Sequence, residues 1–180
     1  MNAEIKTAEN GLVPGDHFMY KDVEFVVLDI SEERGELFAV TANIVETMQF
    51  SSECSDDWKK SDIRHYLNTD FLDRIGEEDL IEQTSDLTAL DGDTVYGTCK
   101  DMVAILSLDQ YRKFRYSLPK YNSRIWLLTS WSPYTGSAYY PLYVDPSGTV
   151  NTNYATNSYG VAPACLFNLN NLKSRRQARN

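Results

Sequence analysis

Two runs of β-branched and aromatic residues near the N-terminus constrain the fold more than any other feature of the chain. The first, 17–30, turns at Lys21-Asp22, and the second, 36–41, follows the charged turn at residues 32–35. A Pro14-Gly15-Asp16 turn precedes both runs. Runs of this composition, separated by short polar turns, are typical of strands joined by hairpins. The pattern therefore predicts an antiparallel meander.

Two helices are expected after the meander. Ser61 is a candidate N-cap, apolar residues recur at steps of three and four from Ile63 to Ile75, and Gly76 is a natural stop. A second helix is expected from Leu108, behind the candidate cap Ser107, to about residue 116. Further strands are expected at 102–106, 125–128, 138–144, 149–153 and 161–169, with a hairpin turn at 145–148. This order predicts an α+β domain of mainly antiparallel sheet with two helices.

The length of the chain favours one domain. A chain of 180 residues can bury one sizeable core and is short for two. We expect a single domain over 1–180, with its core at about 12–170 and a solvated, frayed basic tail at 173–180. No apolar run approaches the roughly 20 residues that span a bilayer, and the N-terminal MNAEIKTAEN lacks the apolar centre of a secretory signal. We therefore expect a cytoplasmic or virion protein with no membrane contact.

Charge is unevenly placed along the chain. Residues 1–120 hold 25 carboxylates against 12 Lys and Arg, a balance of −13, whereas residues 121–180 have a balance of +4. The acidic part would repel phosphate, so direct nucleic-acid binding is not expected, but it could attract a basic partner. The candidate acidic face comprises Asp29, Glu32, Glu33, Glu53, Asp56, Asp57, Glu77, Glu78 and Asp79.

The segment from Ile125 to Leu172 has one formally charged side chain, Asp145, among many Tyr, Asn, Ser and Thr residues. Tyr and Trp give a large contact area at low entropy cost, and Ser and Asn supply adaptable hydrogen bonds, as in antibody paratopes. Alternate strand positions face the core, so about half of the tyrosines, with Tyr140 favoured over Tyr139, are expected to pack inside. The candidate partner-binding residues are Trp131, Tyr134, Tyr139, Tyr143, Asn151, Asn153, Tyr154, Asn157 and Tyr159.

Five short signatures resemble, in the same order, those of an uncharacterised bacterial and prophage domain family. The first is "W..S.IR.wLN..F", which matches Trp58 to Phe71, and the second is "D.vfLLS..E", which begins at Asp101. The remaining three are "WWLRSP", "vn.dG.v" and "GVRPAl.inl", matched by residues 126–131, 144–150 and from 160 onward. The resemblance covers roughly Gly15 to Leu169, which is nearly the whole chain.

The closing signatures are similar to those of formylglycine-generating-enzyme-like and C-type lectin-like domains. The resemblance implies a C-type lectin-like fold, in which an antiparallel core presents a long C-terminal segment for binding. Two arginines of the family are replaced, by Thr129 and Ala162, and its proline after "WLRS" is Trp131. Neither Thr nor Ala can supply the hydrogen bonds of a guanidinium. We therefore interpret the chain as a repurposed member.

An enzyme is not expected, and neither is a cofactor or a metal. His17 and His65 lie in no metal-ligand or nucleophile spacing, and the three cysteines are far apart and read as reduced thiols. The carboxylates flanking Gly92 lack the rest of a calcium-binding loop.

Three functional hypotheses remain. The first is a non-enzymatic phage or mobile-element module that binds a protein, or a glycan, through the C-terminal Tyr/Asn/Trp-rich segment. The second is an intracellular anti-defence inhibitor, of the anti-CRISPR kind, whose acidic face blocks the nucleic-acid groove of a host enzyme. The third is a structural component of a virion.

Overall fold

The computed structural model describes residues 11–134, 136 and 138–177. Residues 1–10, to which the expectation about a secretory signal refers, and residues 178–180 of the expected basic tail lie outside the described residues. Within the described residues, none of the helices has the length and apolarity needed to cross a membrane.

The fold is α+β, with mostly antiparallel sheet, as the sequence predicts. In chain order the described strands are β1 His17–Tyr20, β2 Val23–Ser31, β3 Glu36–Thr41, β4 Glu46–Gln49, β5 Leu80–Ile81, β6 Gln83–Asp86, β7 Thr98–Asp101, β8 Val103–Ala104, β9 Ile125–Ser130, β10 Pro141–Val144, β11 Val150–Thr152, β12 Ser158–Val161 and β13 Ala164–Asn168. Among these, only β9 and β12 pair in parallel.

Three sheets contain these strands. The first has the order β1-β2-β3-β13-β5, with β8 also paired to β13, and the second has the order β11-β10-β9-β12-β4. Strands β6 and β7 form a separate two-stranded ribbon. The predicted N-terminal meander is confirmed as β1-β2-β3, because each of these strands pairs antiparallel with the next.

Helix α1 spans Asp62–Tyr66, Leu67–Phe71 and Leu72–Ile75, and the middle segment is π-helical. A 3₁₀ turn, Trp58–Lys60, precedes it. The side chain of Ser61 caps α1 by accepting a hydrogen bond from the Arg64 amide. Helix α2 is Leu108–Phe114, and its N-cap Ser107 forms a reciprocal capping box with Gln110. Both predicted helices are therefore confirmed, although α2 ends about two residues early.

A third helix, α3 at Leu169–Gln177, includes the first part of the tail 173–180 that is expected to be frayed, so the prediction of two helices is wrong. The side chain of Asn168 accepts hydrogen bonds from the amides of Asn170 and Asn171, both at 3.1 Å, and so caps the first turn. Lys173 forms an ion pair of 2.7 Å with Glu32. Asn168 is thus both the last residue of β13 and the N-cap of α3.

The expected strand 161–169 is divided between two sheets. Val161 ends β12 opposite Glu46 in the second sheet, and Ala164 begins β13 opposite Val40 in the first. Pro163 lies between them and has no N–H for either ladder, but its carbonyl accepts from the Thr41 amide at 2.9 Å. The chain therefore crosses from one sheet to the other at this proline.

Strand β9 separates two hydrophobic clusters. Trp126 and Leu128 pack in the cluster that contains α1, whereas Ile125 and Leu127 pack in the cluster that contains α2, and the first sheet supplies residues to both clusters. All six residues of β9 are buried. The end of β9, at Ser130, therefore gives the loop that follows it a fixed starting point.

Residues of the first two family-like signatures meet around one buried carboxylate. Asp101 accepts hydrogen bonds from Trp58 Nε1 at 2.9 Å and from Arg64 Nε at 2.7 Å. The side-chain amide of Asn68, in the π-helical turn, accepts from the amides of Met102 and Val103 and donates to the Val103 carbonyl. These contacts fasten α1 to the chain between β7 and β8, so these signature residues have a structural role.

Candidate binding surface

Exposed large hydrophobic side chains gather on two loops and one turn. Nine such side chains are exposed in the described part of the chain, and six of them lie on the loops 88–97 and 131–140 and on the turn 153–157. We call this group the aromatic surface. It consists of Leu90, Val95, Trp131, Tyr134, Tyr139 and Tyr154.

The loop 131–140 is closed at its base. It leaves the sheet after Ser130 and returns at Pro141, which is paired with Ser130 across β9 and β10. The Trp131 amide donates to the Tyr140 carbonyl at 2.9 Å, and the Ala138 amide donates to the Tyr134 carbonyl at 3.0 Å. A loop whose ends are close and hydrogen-bonded can present its side chains in a defined arrangement.

Asp56 lies fully buried beneath this loop. Its carboxylate accepts from the hydroxyls of Tyr96 and Ser130, both at 2.7 Å, and its own amide donates to the Ala138 carbonyl at 3.1 Å. Burial raises the pKa of Asp56, and the hydrogen bonds from Ser130, Tyr96 and backbone amides, including that of Tyr140, oppose this rise. Asp56 thus connects the loop 131–140 to the loop that carries Tyr96.

The loop 88–97 is attached to the same place by further contacts. The Leu90 amide donates to the Ser130 carbonyl at 2.9 Å. A hydrogen bond to Asp93 raises the pKa of the Tyr134 hydroxyl, and backbone and Ser132 hydrogen bonds lower the pKa of Asp91. Two carboxylates therefore lie beside the aromatic surface, held by residues of both loops.

The asparagines of the candidate set shape a turn that exposes Tyr154. Asn153 Nδ2 donates to the Tyr159 hydroxyl at 2.6 Å, and its Oδ1 accepts from the Tyr154 amide and from Asn157 Nδ2. The Tyr154 ring packs on Tyr140, with centroids 4.8 Å apart. Asn153 and Asn157 thus hold the turn in place. Asn151 is exposed on the edge strand β11.

Two of the candidate tyrosines belong to the core, which corrects their place in the expected surface. Tyr143 and Tyr159 are each 8% exposed and pack with Trp126, and the centroids of Trp126 and Tyr159 are 4.5 Å apart. The Arg124 guanidinium covers both rings, 5.4 Å from the centroid of Tyr143 and 5.3 Å from that of Tyr159. Tyr143 of β10 therefore points into the core. The buried Tyr159 of β12 supports the turn 153–157 through its hydrogen bond with Asn153.

The expected acidic face is smaller than its nine residues suggest. Asp56, Asp57 and Asp79 are buried, so they offer no surface charge. Asp57 caps the 3₁₀ turn before α1. Three more form ion pairs: Asp29 with Lys113, Glu32 with Lys173 and Glu78 with Lys21. Glu33, Glu53 and Glu77 are exposed.

Thr129 and Ala162, which stand where the signatures of the resembled family have arginine, are both buried. Thr129 is in β9, and its hydroxyl accepts from the Leu108 amide at 2.9 Å, which helps to begin α2. It also lines a cavity of about 400 Å³ with Thr88, Leu90 and Arg112. Ala162 packs in the core beside the crossover proline. The Thr129 hydroxyl thus satisfies a backbone amide at the start of α2.

The histidine and cysteine side chains of the described residues differ in their surroundings. The three cysteines are free, Cys99 and Cys165 are buried, and burial raises the pKa of both thiols. His17 pairs with Glu24 at 2.9 Å, and His65 is exposed. Among the described residues, no three His, Cys, Asp or Glu side chains are grouped so that they could hold a metal ion.

Sequence reasoning missed part of this surface. Leu90 and Val95 lie in a polar loop, where single apolar residues carry no periodic signal. The partners of Asp56 are 40 and 74 residues away along the chain, so no local pattern identifies it as an anchor.

Comparison of the chain with known proteins found no match. The chain matches no protein-family model, no curated protein and no solved structure. The family resemblance drawn from the five signatures therefore stays a prediction.

Proposed function

We propose that this protein is a non-enzymatic binding module of C-type lectin-like fold, encoded by a phage or mobile element, which recognises a protein partner through the aromatic surface. The observation that carries the proposal is that, among the described residues, six of the nine exposed large hydrophobic side chains lie on two loops and a turn that are joined by hydrogen bonds and ring contacts. Exposed apolar side chains that are grouped in this way mark an interaction site more often than scattered ones do.

The arrangement of the loops supports the proposal. Trp and Tyr are the side chains most enriched among residues that dominate binding energy, and Trp131 and Tyr134 are 45% and 64% exposed. Asp56 and the base of the loop 131–140 hold these side chains in place before any partner arrives. Less conformational entropy is then lost on binding. The antiparallel sheets with a long C-terminal segment between β9 and β12 support the lectin-like assignment.

The acidic-face hypothesis has less support. Its nine carboxylates include three that are buried and three that are ion-paired, so less charge is available to occupy a basic groove. A contact dominated by charge would also weaken steeply with salt. Salt dependence therefore separates the two hypotheses in one assay.

The test compares three forms of the full chain in affinity capture from the source organism, followed by calorimetry with the purified partner. They are the wild type, the double variant W131A/Y134A, and Y116A as a matched control. Tyr116 is 98% exposed and lies in the segment after α2, which is not part of the loops or the turn of the aromatic surface. We expect the double variant to lose about 3 kcal/mol of binding energy, a factor of about 100, and Y116A to lose none.

Both variants should melt at the wild-type temperature, because exposed side chains contribute little to stability. An affinity of W131A/Y134A equal to that of the wild type would contradict the proposal. An affinity that these substitutions leave unchanged, but that decreases steeply as the salt concentration rises, would favour the acidic face instead. A wild-type glycan array run in parallel tests for a carbohydrate: sugar binding lost in W131A/Y134A would replace the protein partner by a glycan on the same surface.

A further inference from the structure

A cleft on another part of the molecule is independent of the aromatic surface. It lies between the segment 115–123, which joins α2 to β9, and the hairpin turn 145–148 between β10 and β11. Its volume is about 360 Å³, within the range of about 300–1,000 Å³ of small-molecule sites. The side chains that matter for recognition are Tyr111, Arg115, Tyr116, Lys120 and Tyr121.

The lining of the cleft holds two cations, Arg115 and Lys120, and one carboxylate, Asp145, although the protein as a whole carries a net charge of −9. Residues 110–144 hold five Lys and Arg and no carboxylate. Two of these cations are neutralised, Arg112 by Asp109 and Lys113 by Asp29. Among the described residues, Arg115 and Lys120 form no ion pair within 4.0 Å, and both line the cleft. The two cations are therefore available to an anion.

Asp145, on the opposite wall of the cleft, is hydrogen-bonded within its own turn. Asp145 Oδ1 accepts from the Ser147 amide, the Ser147 hydroxyl and the Thr149 amide, at 2.6 to 3.1 Å. These hydrogen bonds lower the pKa of Asp145 and spread its charge over the turn. Asp145 thus shapes the hairpin and leaves the two cations to set the sign of the cleft.

Three of these side chains, Tyr111, Arg115 and Tyr121, are held in position by contacts within the protein. The Tyr111 hydroxyl donates to the Gly148 carbonyl at 2.9 Å and so joins the two walls. The Arg115 guanidinium lies 5.6 Å from the Tyr111 ring centroid, and it is so close to Gly148 that a Cβ there would come within 3.0 Å of it. Tyr121 is fixed by a hydrogen bond of 2.7 Å to the Thr41 carbonyl. At the rim, Tyr116 presents an exposed ring.

We propose that this cleft binds a nucleoside monophosphate or a closely similar aromatic phosphate. The phosphate would be held by Arg115 and Lys120, because a guanidinium and an ammonium are the side chains that favour phosphate. The ring of the ligand would stack on Tyr116, as bases stack on exposed aromatic side chains. The acidic body disfavours a long chain of phosphates, so the ligand is a small molecule.

The test titrates the full chain by calorimetry with AMP, GMP, CMP and UMP, and with three part-ligands: inorganic phosphate, ribose 5-phosphate and adenosine. We expect at least one nucleotide to bind with a dissociation constant below 1 mM and at least tenfold more tightly than any part-ligand. Arg115→Gln and Tyr116→Ala should each weaken that binding at least fivefold. Met19→Ala, an exposed side chain on β1 outside the cleft, is the control and should leave it unchanged.

Tyr116→Ala keeps the test decisive if Arg115→Gln lowers the melting temperature, because a side chain that is 98% exposed can be truncated without loss of packing. The proposal is overturned if no nucleotide binds below 1 mM, or if ribose 5-phosphate binds as tightly as the nucleotides. It is also overturned if Tyr116→Ala binds like the wild type. Tighter binding of a single-stranded oligonucleotide than of its mononucleotides would overturn the restriction to a small ligand.

Discussion

Asp56 allows the anchoring of the loop 131–140 to be measured. In Asp56→Ala the hydroxyls of Tyr96 and Ser130 lose the acceptor that each reaches at 2.7 Å. A buried donor left without a partner costs about 1–3 kcal/mol, so two would cost about 2–6 kcal/mol. Loss of the buried charge offsets part of this cost, because burial disfavours the ionised carboxylate. We expect a net loss of about 2–4 kcal/mol in the free energy of unfolding.

Asp56→Asn separates the hydrogen bonds from the charge. An asparagine has the same shape, accepts from one hydroxyl through its oxygen and donates to the other through its nitrogen. We therefore expect its stability at neutral pH to lie within about 1 kcal/mol of that of the wild type. The assay is urea unfolding followed by Trp fluorescence at pH 7, with Glu33→Ala as the exposed carboxylate control.

The pH dependence gives a second, independent reading. The pKa of Asp56 is raised in the folded state above its ordinary value of 3.8, so the folded protein binds more protons than the unfolded chain between these two values. The stability contributed by this group is therefore greatest below pH 3.8 and falls as the pH rises through the folded-state pKa. Asp56→Asn should remove that fall, so its stability relative to the wild type should increase with pH across this window. An Asp56→Ala protein as stable as Glu33→Ala would refute the anchoring role.

Three further predictions concern the scaffold. Asn68→Ala removes an amide that serves the backbone of Met102 and Val103 and should cost about 2–4 kcal/mol in urea unfolding, whereas Thr69→Ala, which loses one exposed hydrogen bond, should cost under about 1 kcal/mol. Gly160→Ala places a Cβ 2.5 Å from Ile44 Cδ1 and should lower stability by about 1–3 kcal/mol, and the second change Ile44→Val should recover part of it in a double-mutant cycle. Tyr159→Phe removes the hydroxyl that accepts a hydrogen bond from Asn153 and should lower the free energy of unfolding by about 1 kcal/mol. Tyr134→Phe should leave it nearly unchanged, and thermal unfolding of the two variants makes the comparison.

Local signals explain which elements the sequence predicts. Ser61 and Ser107 are side-chain caps next to an apolar period, so both helices could be placed from neighbouring residues alone. The meander β1-β2-β3 was predictable because its strands are apolar and its turns are short. By contrast, β6 and β7 are polar ribbon strands whose exposed residues show no apolar alternation. Strand β4, which has two exposed polar residues, was not predicted for the same reason.

The candidate site was predictable only as a segment. Composition indicates a contact surface between Ile125 and Leu172, but the burial of each tyrosine depends on which strand face it occupies. Tyr143 and Tyr159 became core residues because Trp126 and Arg124 lie opposite them. Asp56 lies in a serine-rich acidic loop that is typical of solvated chain, and only tertiary contacts with Tyr96 and Ser130 bring it inside.

The carboxylates beside the aromatic surface restrict the kind of partner that can cover it. Asp93 is half-buried and raises the pKa of the Tyr134 hydroxyl, and Ser132 helps to lower the pKa of Asp91, so both carboxylates lie close to the loop 131–140. A partner that buries Tyr134 also removes water from Asp93, and a desolvated carboxylate without a cation is costly. If the aromatic surface binds a protein as proposed, we therefore expect that partner to place a Lys or Arg at this edge and apolar groups over Trp131. Aromatic anchoring would then set the affinity, and the carboxylates would set which partner is accepted.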